Sequence, residues 1–373
     1  MKNWVTKKLG EVCELSAGGD VPKGNFSEIK TDNHQVPIYA NGEKNQGFYG
    51  YTSIAKVTKP SITVSGRGTI GYSVKRLEPF FPIVRLIVVT PINLEELGLD
   101  YLDYAIRKID FKHNGSSIPQ LTVPMIRDYE IPLPPLPEQQ LIVAILDEVF
   151  SAIAKAKANA EQNLKNAKEL FESYLQGVFE NKGNDWETKT LGEVCEELFA
   201  GGDVPKGNSS KYETEEFKIP IFSNGEKNKG LYGFTNNSRV TKPSITISAR
   251  GTIGYSEIRH SPFYPAIRLI VVIPKNDIVN LLYLKYVIAG IDFKHSGSSI
   301  PQLTVPMIKG YPISFPTLKE QKTIVQKLKA LSEETKKLEA IYQQKINDLE
   351  ELKKSVLQKA FNGELKTEKE FTV

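Results

Sequence analysis

At 373 residues, with 40% hydrophobic and 25% charged residues, the chain is too long for one ordinary domain and has the composition of a globular protein with two cores. No apolar run approaches the roughly 20 residues that span a bilayer, and Lys2, Lys7 and Lys8 lead into no apolar stretch, so neither a membrane span nor a secretory signal is expected and a cytoplasmic location is. The formal net charge of +4 suits an anionic partner without requiring one.

Residues 1–135 are rich in Gly, Pro, Tyr and β-branched residues and read as a mixed α+β domain. Strands are expected at 60–65 and 84–90, between Gly- and Asn-rich turns, with a short helix at 99–108. A proline-rich stretch at 131–137 leads into a helical pattern over 136–182, where Ile142, Leu146, Val149, Ile153, Ala156, Ala160, Ala167, Phe171, Tyr174 and Val178 follow the three-and-four spacing of a heptad. Residues 183–317 repeat the first domain. Residues 318–373 repeat the helix, with Ile324, Leu328, Leu331, Leu338, Tyr342, Leu349 and Val356 on its stripe. Each run of about 40 residues would be roughly 60 Å long. Two surface helices packed separately on their own domains are the simpler arrangement, but a seam of that length exceeds what one small domain covers. The expected fold is therefore α+β: two repeated mixed α/β domains, separated and connected by two long antiparallel helices that form a coiled-coil spacer with pseudo-twofold symmetry.

The repeat is close. LGEVCE at 9–14 recurs at 191–196, an offset of 182; one inserted residue carries AGGDVPKGN from 17–25 to 200–208 and NGEKNQGFYG from 41–50 to 224–233, as NGEKNKGLYG. VTKPSITVSGRGTIGYS at 57–73 becomes VTKPSITISARGTIGYS at 240–256, and 109–126 matches 291–308 except at Asn114 and Ser296.

The second copy also tests the chemistry of the first. Gly66, Gly68 and Gly71 spell GxGxxG, a dinucleotide-binding fingerprint when a helix follows. Ala249 replaces the first glycine in the second copy, and the residues that follow look extended in both, so a cofactor turn is not expected. His113 and His295, Asp20 and Asp203, and Asp110 and Asp292 recur, but His34 and His260 have no counterparts and no HxxxH or CxxC spacing exists, so neither a metal site nor catalysis is expected. Cys13 and Cys195 occupy equivalent places and are expected as buried or half-buried free thiols.

Two repeated domains, each followed by a long helix after a proline-rich stop, resemble the specificity subunit of type I restriction-modification systems. The motifs carrying the resemblance are AGGDVP at 17–22 and 200–205, RGTIG at 67–71 and 250–254, SSIPQL at 116–121 and 298–303, and PLPEQQ at 135–140, which becomes PTLKEQ at 316–321. The resemblance implies target-recognition domains at 1–135 and 183–317, each reading half of a bipartite double-stranded DNA site, and conserved spacer helices at 136–182 and 318–373. It implies two methyltransferase subunits docked on those helices, S-adenosylmethionine bound in those partners and not in this chain, and a place for restriction translocase subunits.

Candidate DNA-binding residues follow from the repeated polar loops: Lys23, Asn25, Asn41, Lys44, Arg67, Thr69, Tyr72, Lys112, His113, Asn114, Ser116, Ser117 and Gln120 in the first copy. Their counterparts are Lys206, Asn208, Asn224, Lys227, Arg250, Thr252, Tyr255, Lys294, His295, Ser296, Ser298, Ser299 and Gln302. Arg can fork onto guanine or grip phosphate, and Asn and Gln can pair with adenine, while the Asn–Gly pairs equally suit tight turns and the lysines a solvated surface. Glu138, Gln139, Gln140, Glu320 and Gln321, at the starts of the helices, are the candidate methyltransferase-docking residues. Nearly identical loops predict nearly identical half-sites in inverted orientation, an interrupted near-palindrome. A duplicated scaffold that recruits partners without touching DNA, and a self-contained nuclease or methyltransferase, are the competing readings.

Overall fold

The computed structural model describes residues 4–111, 119–183, 185–293 and 302–365. Two compact units are present, and the first gathers segments that are distant in the chain. The first contains residues 1–161 and 344–373 and the second 162–343, so each long helix begins in one unit and ends in the other.

In the first unit β1 (Val5–Lys8) and α1 (Leu9–Val12) lead into β2 (Cys13–Ala17), β3 (Val36–Tyr39), β4 (Phe48–Thr52), β5 (Ser61–Val64), β6 (Ser73–Arg76), β7 (Phe81–Pro82) and β8 (Ile87–Pro91). Then come α2 (Leu99–Lys108), α3 (Val123–Arg127), β9 (Glu130–Leu133) and the start of α4 (Leu136–Glu180). One sheet has the order β2-β8-β5-β6 and is antiparallel throughout; a second has the order β4-β3-β7, and β1 pairs with β9. β5 is buried on both faces, and its alternation separates two environments. Ile62 and Val64 share a core cluster with Tyr101, Leu102, Ala105 and Ile106 of α2. Ser61, Thr63 and Ser65 alternate with them, and their hydroxyls bond Thr90, Arg76 and the amide of Gly42.

The second unit repeats this plan with β10 (Glu187–Thr190), α5 (Leu191–Val194), β11 (Cys195–Ala200), β12 (Ile219–Phe222), β13 (Leu231–Thr235), β14 (Ser244–Ile247), β15 (Ser256–Arg259), β16 (Tyr264–Pro265) and β17 (Ile270–Pro274). α6 (Leu281–Ala289), α7 (Val305–Lys309), β18 (Pro312–Phe315) and α8 (Leu318–Phe361) complete the chain order. Its sheets run β11-β17-β14-β15 and β13-β12-β16. Cys13 and Cys195 are buried thiols in matching positions, and burial pushes each up to about 12.

Within the first unit α4 and α8 run antiparallel: Lys157 meets Glu350 at 2.5 Å, while the earlier Phe150 lies 5.4 Å beneath the later Lys353. The last residues of α8 cap the domain core, where Phe361 stacks 5.1 Å from Tyr101. In the second unit the end of α4 does the same, with Phe179 5.6 Å from Tyr283.

The starts of the helices correct one expectation. Gln139 is 1% exposed and Gln321 0%, so neither presents a docking surface. The Gln139 amide donates to the carbonyls of Glu96 (2.7 Å) and Pro134 (2.8 Å) and accepts from the amide of Gly98 (2.9 Å). Gln321 repeats all three bonds with Ile278, Pro316 and Asn280. Glu138 accepts from the indole of Trp4 at 3.0 Å, and Glu320 forms a capping box with Thr317. Gln140, the remaining member of this group, is exposed. A helix leaving a domain must satisfy the backbone groups around its first turn, and the buried and capping side chains do so.

Candidate nucleic-acid interface

Five segments converge at one end of the first domain: the stretch after β2, the β3–β4 turn, the β5–β6 loop, the turn before β8 and residues 119–121. Asn41 ties three of them together. Its Oδ1 accepts from the amide of Gly66 at 2.8 Å and its Nδ2 donates to the carbonyl of Val84. Asn224 does the same with Ala249 (2.7 Å) and Ile267 (2.6 Å). The Asn41 and Asn224 amides are thus used inside the protein, and they position the loops where adenine pairing was expected of them. Asn25 is similarly engaged with Ser53, and Asn208 with Asn236.

Beside Gly66, Arg67 donates from Nε (3.3 Å) and Nη2 (2.9 Å) to Oε1 of Gln120, and Arg250 repeats this geometry on Gln302 at 3.2 and 2.7 Å. Both members of each pair were candidates from the sequence; their pairing was not legible there. The amide of Leu121 donates to the carbonyl of Gly66, which holds the two strands of chain together, and a Cβ on Gly66 would meet Leu121 O at 2.8 Å. Thr69 and Thr252 are exposed on the same loop, as are Lys23, Lys44, Lys206 and Lys227 on neighbouring ones. Lys112, His113, Asn114, Ser116 and Ser117, with Lys294, His295, Ser296, Ser298 and Ser299, lie outside the described residues.

The turn carrying Lys44 is built from beneath. Arg76, 7% exposed, stacks 3.5 Å over Tyr39 and donates to Gln46 O at 2.5 Å and to Thr63 Oγ1 at 3.2 Å; burial lowers its pKa. Arg259 makes the same contacts with Phe222, Lys229 and Thr246.

Next to this turn is a cleft of about 510 Å³ lined by Gln46, Tyr72, Val74, Lys75 and Arg107. At equivalent positions the second copy has Lys229, Tyr255, Glu257, Ile258 and Ala289. There Glu257 accepts from the Tyr255 hydroxyl at 3.1 Å and lies 3.8 Å from Lys229. Desolvation, with the Glu257 charge second, pushes the Tyr255 phenol up to about 12. The copies therefore share their loops and differ in charge at this cleft.

Sequence reasoning missed the turn before β8. The strand expected at 84–90 starts at Ile87, because Val84 (φ 52°) and Arg85 (φ 58°) are both left-handed. Ile267 (φ 52°) and Arg268 (φ 61°) repeat this. A β-branched residue in that region is an outlier, at a cost on the order of 1–3 kcal/mol. The only trace in the sequence is an arginine interrupting an apolar run, which does not reveal a φ angle.

The type I restriction modification DNA specificity domain matches the chain twice, over residues 1–165 and 183–351. The chain belongs to this family. It is 26% identical over 328 residues to a putative type I specificity subunit of Mycoplasma pneumoniae, covering 87% of this chain and 88% of that protein. It is 27% identical over 413 residues to the putative specificity subunit of the MjaX type I restriction enzyme of Methanocaldococcus jannaschii, covering 98% and 94%. Among solved structures, a chain from work on complex assembly and conformational transition of the type I R-M system superposes with a TM-score of 0.79 at 18% identity, over 97% of this chain and 98% of that one. The HsdS subunit of Thermoanaerobacter tengcongensis gives 0.65 at 19% identity, over 98% of both chains. At these identities the structural likeness shows a shared fold. Specificity subunits are the non-catalytic DNA-recognition subunits of type I systems, and the two repeated domains of this one are target-recognition domains. Among the described residues no helix is long and apolar enough to cross a membrane, and no cluster of His, Cys, Asp and Glu is arranged to hold a metal.

Proposed function

We propose that this chain reads a bipartite DNA target for a type I restriction-modification complex, each target-recognition domain taking one half-site. α4 and α8 set the gap between half-sites and dock two methyltransferase subunits. Those partners carry S-adenosylmethionine, and the same assembly has a place for restriction translocase subunits. The four-segment reading of the chain, with recognition domains at 1–135 and 183–317 and spacer helices between and after them, belongs to this proposal.

The observation that carries the reading is the arginine–glutamine pair, built twice with the same atoms. Held on one edge by Gln120, the Arg67 guanidinium has no other hydrogen-bond partner among the described residues, and a fork of N–H donors of that kind matches O6 and N7 of guanine or a phosphate. Near-identity of the two loops implies half-sites of nearly the same sequence in inverted orientation. The changed charges at Glu257 and Lys229 leave room for the halves to differ by a base.

Methylome sequencing of cells carrying the system is the direct test. The expected motif is an interrupted near-palindrome, and two unrelated half-sites would overturn the symmetric reading. With the assembled complex, Arg67→Ala and Arg250→Ala are each expected to weaken binding to duplex DNA by about 10- to 100-fold, the equivalent of one bidentate base contact. Binding that does not weaken with salt would favour a scaffold that does not grip phosphates.

A further inference from the structure

The Ile83–Leu86 turn and its copy at Ala266–Leu269 close with an amide-to-carbonyl bond of 3.0 Å, and each places two consecutive non-glycine residues at positive φ. Neighbouring segments hold them there. Val84 and Arg85 donate to the carbonyls of Gly19 (2.7 Å) and Gly18 (2.9 Å); Ile267 and Arg268 donate to Gly202 (2.8 Å) and Gly201 (3.2 Å). Gly18 permits the approach, since a Cβ there would lie 2.6 Å from the Ile83 nitrogen. Asn41, which binds the Val84 carbonyl, also holds the loop of Arg67, so the turn and that arginine are fixed to one another.

Glycine or asparagine would occupy these positions without strain. Both copies instead have a β-branched aliphatic followed by arginine, and neither side chain serves the interior. Val84 is 48% exposed and Ile267 42%, and among the described residues the guanidinium groups of Arg85 and Arg268 have no hydrogen-bond or ion-pair partner. Strain maintained twice under exposed side chains points away from stability and toward contact with a ligand.

We infer that these two turns are DNA-contacting tips, in which Arg85 and Arg268 take phosphate or base-edge acceptors and Val84 and Ile267 pack against the apolar parts of the nucleotides beside them. The inference rests on the DNA-reading assignment and adds a grip separate from Arg67 and Arg250. An exposed aliphatic knob beside a cation suits duplex DNA, which offers thymine methyls and sugar faces next to phosphates.

The test uses the complex assembled with its methyltransferase partner and a duplex containing the methylated motif. Val84→Gly with Ile267→Gly relieves the backbone, so the thermal midpoint is expected to hold or rise while affinity falls at least 10-fold. Arg85→Ala with Arg268→Ala is expected to lower affinity similarly and to flatten the dependence of log K on log salt, by about 0.9 for every phosphate that is no longer neutralised. Wild-type affinity and methylation in both tip variants, alongside impairment in the Arg67→Ala and Arg250→Ala variant, would overturn the tip and leave the DNA-reading assignment standing. A wild-type complex without salt-dependent duplex binding would overturn both.

Discussion

Ser61 in β5 and Ser244 in β14 show how two copies of one residue acquire different energetics. The Ser61 hydroxyl donates to Lys59 O at 2.8 Å and meets Thr90 Oγ1 at 2.7 Å. In the second copy Ile273 stands where Thr90 does, and the buried Ser244 hydroxyl has no hydrogen-bond partner among the described residues. An unpaired buried hydroxyl costs about 1–3 kcal/mol, whereas a paired one contributes about 1 kcal/mol. Ser244→Ala is therefore expected to be neutral or stabilising and Ser61→Ala destabilising by about 1 kcal/mol, in parallel denaturant titrations. Equal losses would show that Ser244 is paired after all. The same recoding replaces the exposed Lys75–Asp100 ion pair by Ile258 and Leu282. Such changes leave the backbone plan intact because each side chain answers only to its immediate neighbours.

At the scale of elements, α2 covers the residues expected of it, and the long helices start where the proline-rich stretches stop. Their seams were only partly legible. Ile142, Leu146, Ile153, Ala160 and Ala167 are buried as expected, but Tyr174 is 41% exposed and Leu175 takes its place at 8%. In α8 the expected Leu338 is 38% exposed, and Thr335 is buried instead. A heptad seam drifts about 20° per repeat around a helix of 3.6 residues per turn, and the eight-residue step from Ala167 to Leu175 restores the phase. Hydrophobicity alone pointed to Tyr174 and Leu338. Fixing each helix on its domain falls to Gln139 and Gln321. Gln139→Leu would remove three hydrogen bonds and leave buried backbone groups unpaired, an expected loss of about 2–4 kcal/mol. A denaturation midpoint unchanged in Gln139→Leu would show that the proline turn and Trp4 suffice.

For the whole molecule the proposed ruler can be tested by length. Removing one heptad from each of α4 and α8 takes out about 10 Å of helix, the rise of roughly three base pairs. The expected outcome is a methylated motif with a correspondingly shorter spacer, or failure of the complex to assemble. Normal activity with an unchanged spacer would refute the ruler. The sequence by itself determined the duplication, the α+β character of the repeats, the two long helices and the family, because repeats, turn residues and periodic apolar spacing are local and one-dimensional signals. Only the tertiary structure decided that Arg67 is braced by Gln120, that Asn41 and Gln139 are internal fasteners, and that Val84 and Arg85 are held in a left-handed turn. Each of those depends on segments distant in the chain closing on one another to satisfy hydrogen bonds, and composition and spacing carry no record of which segments meet.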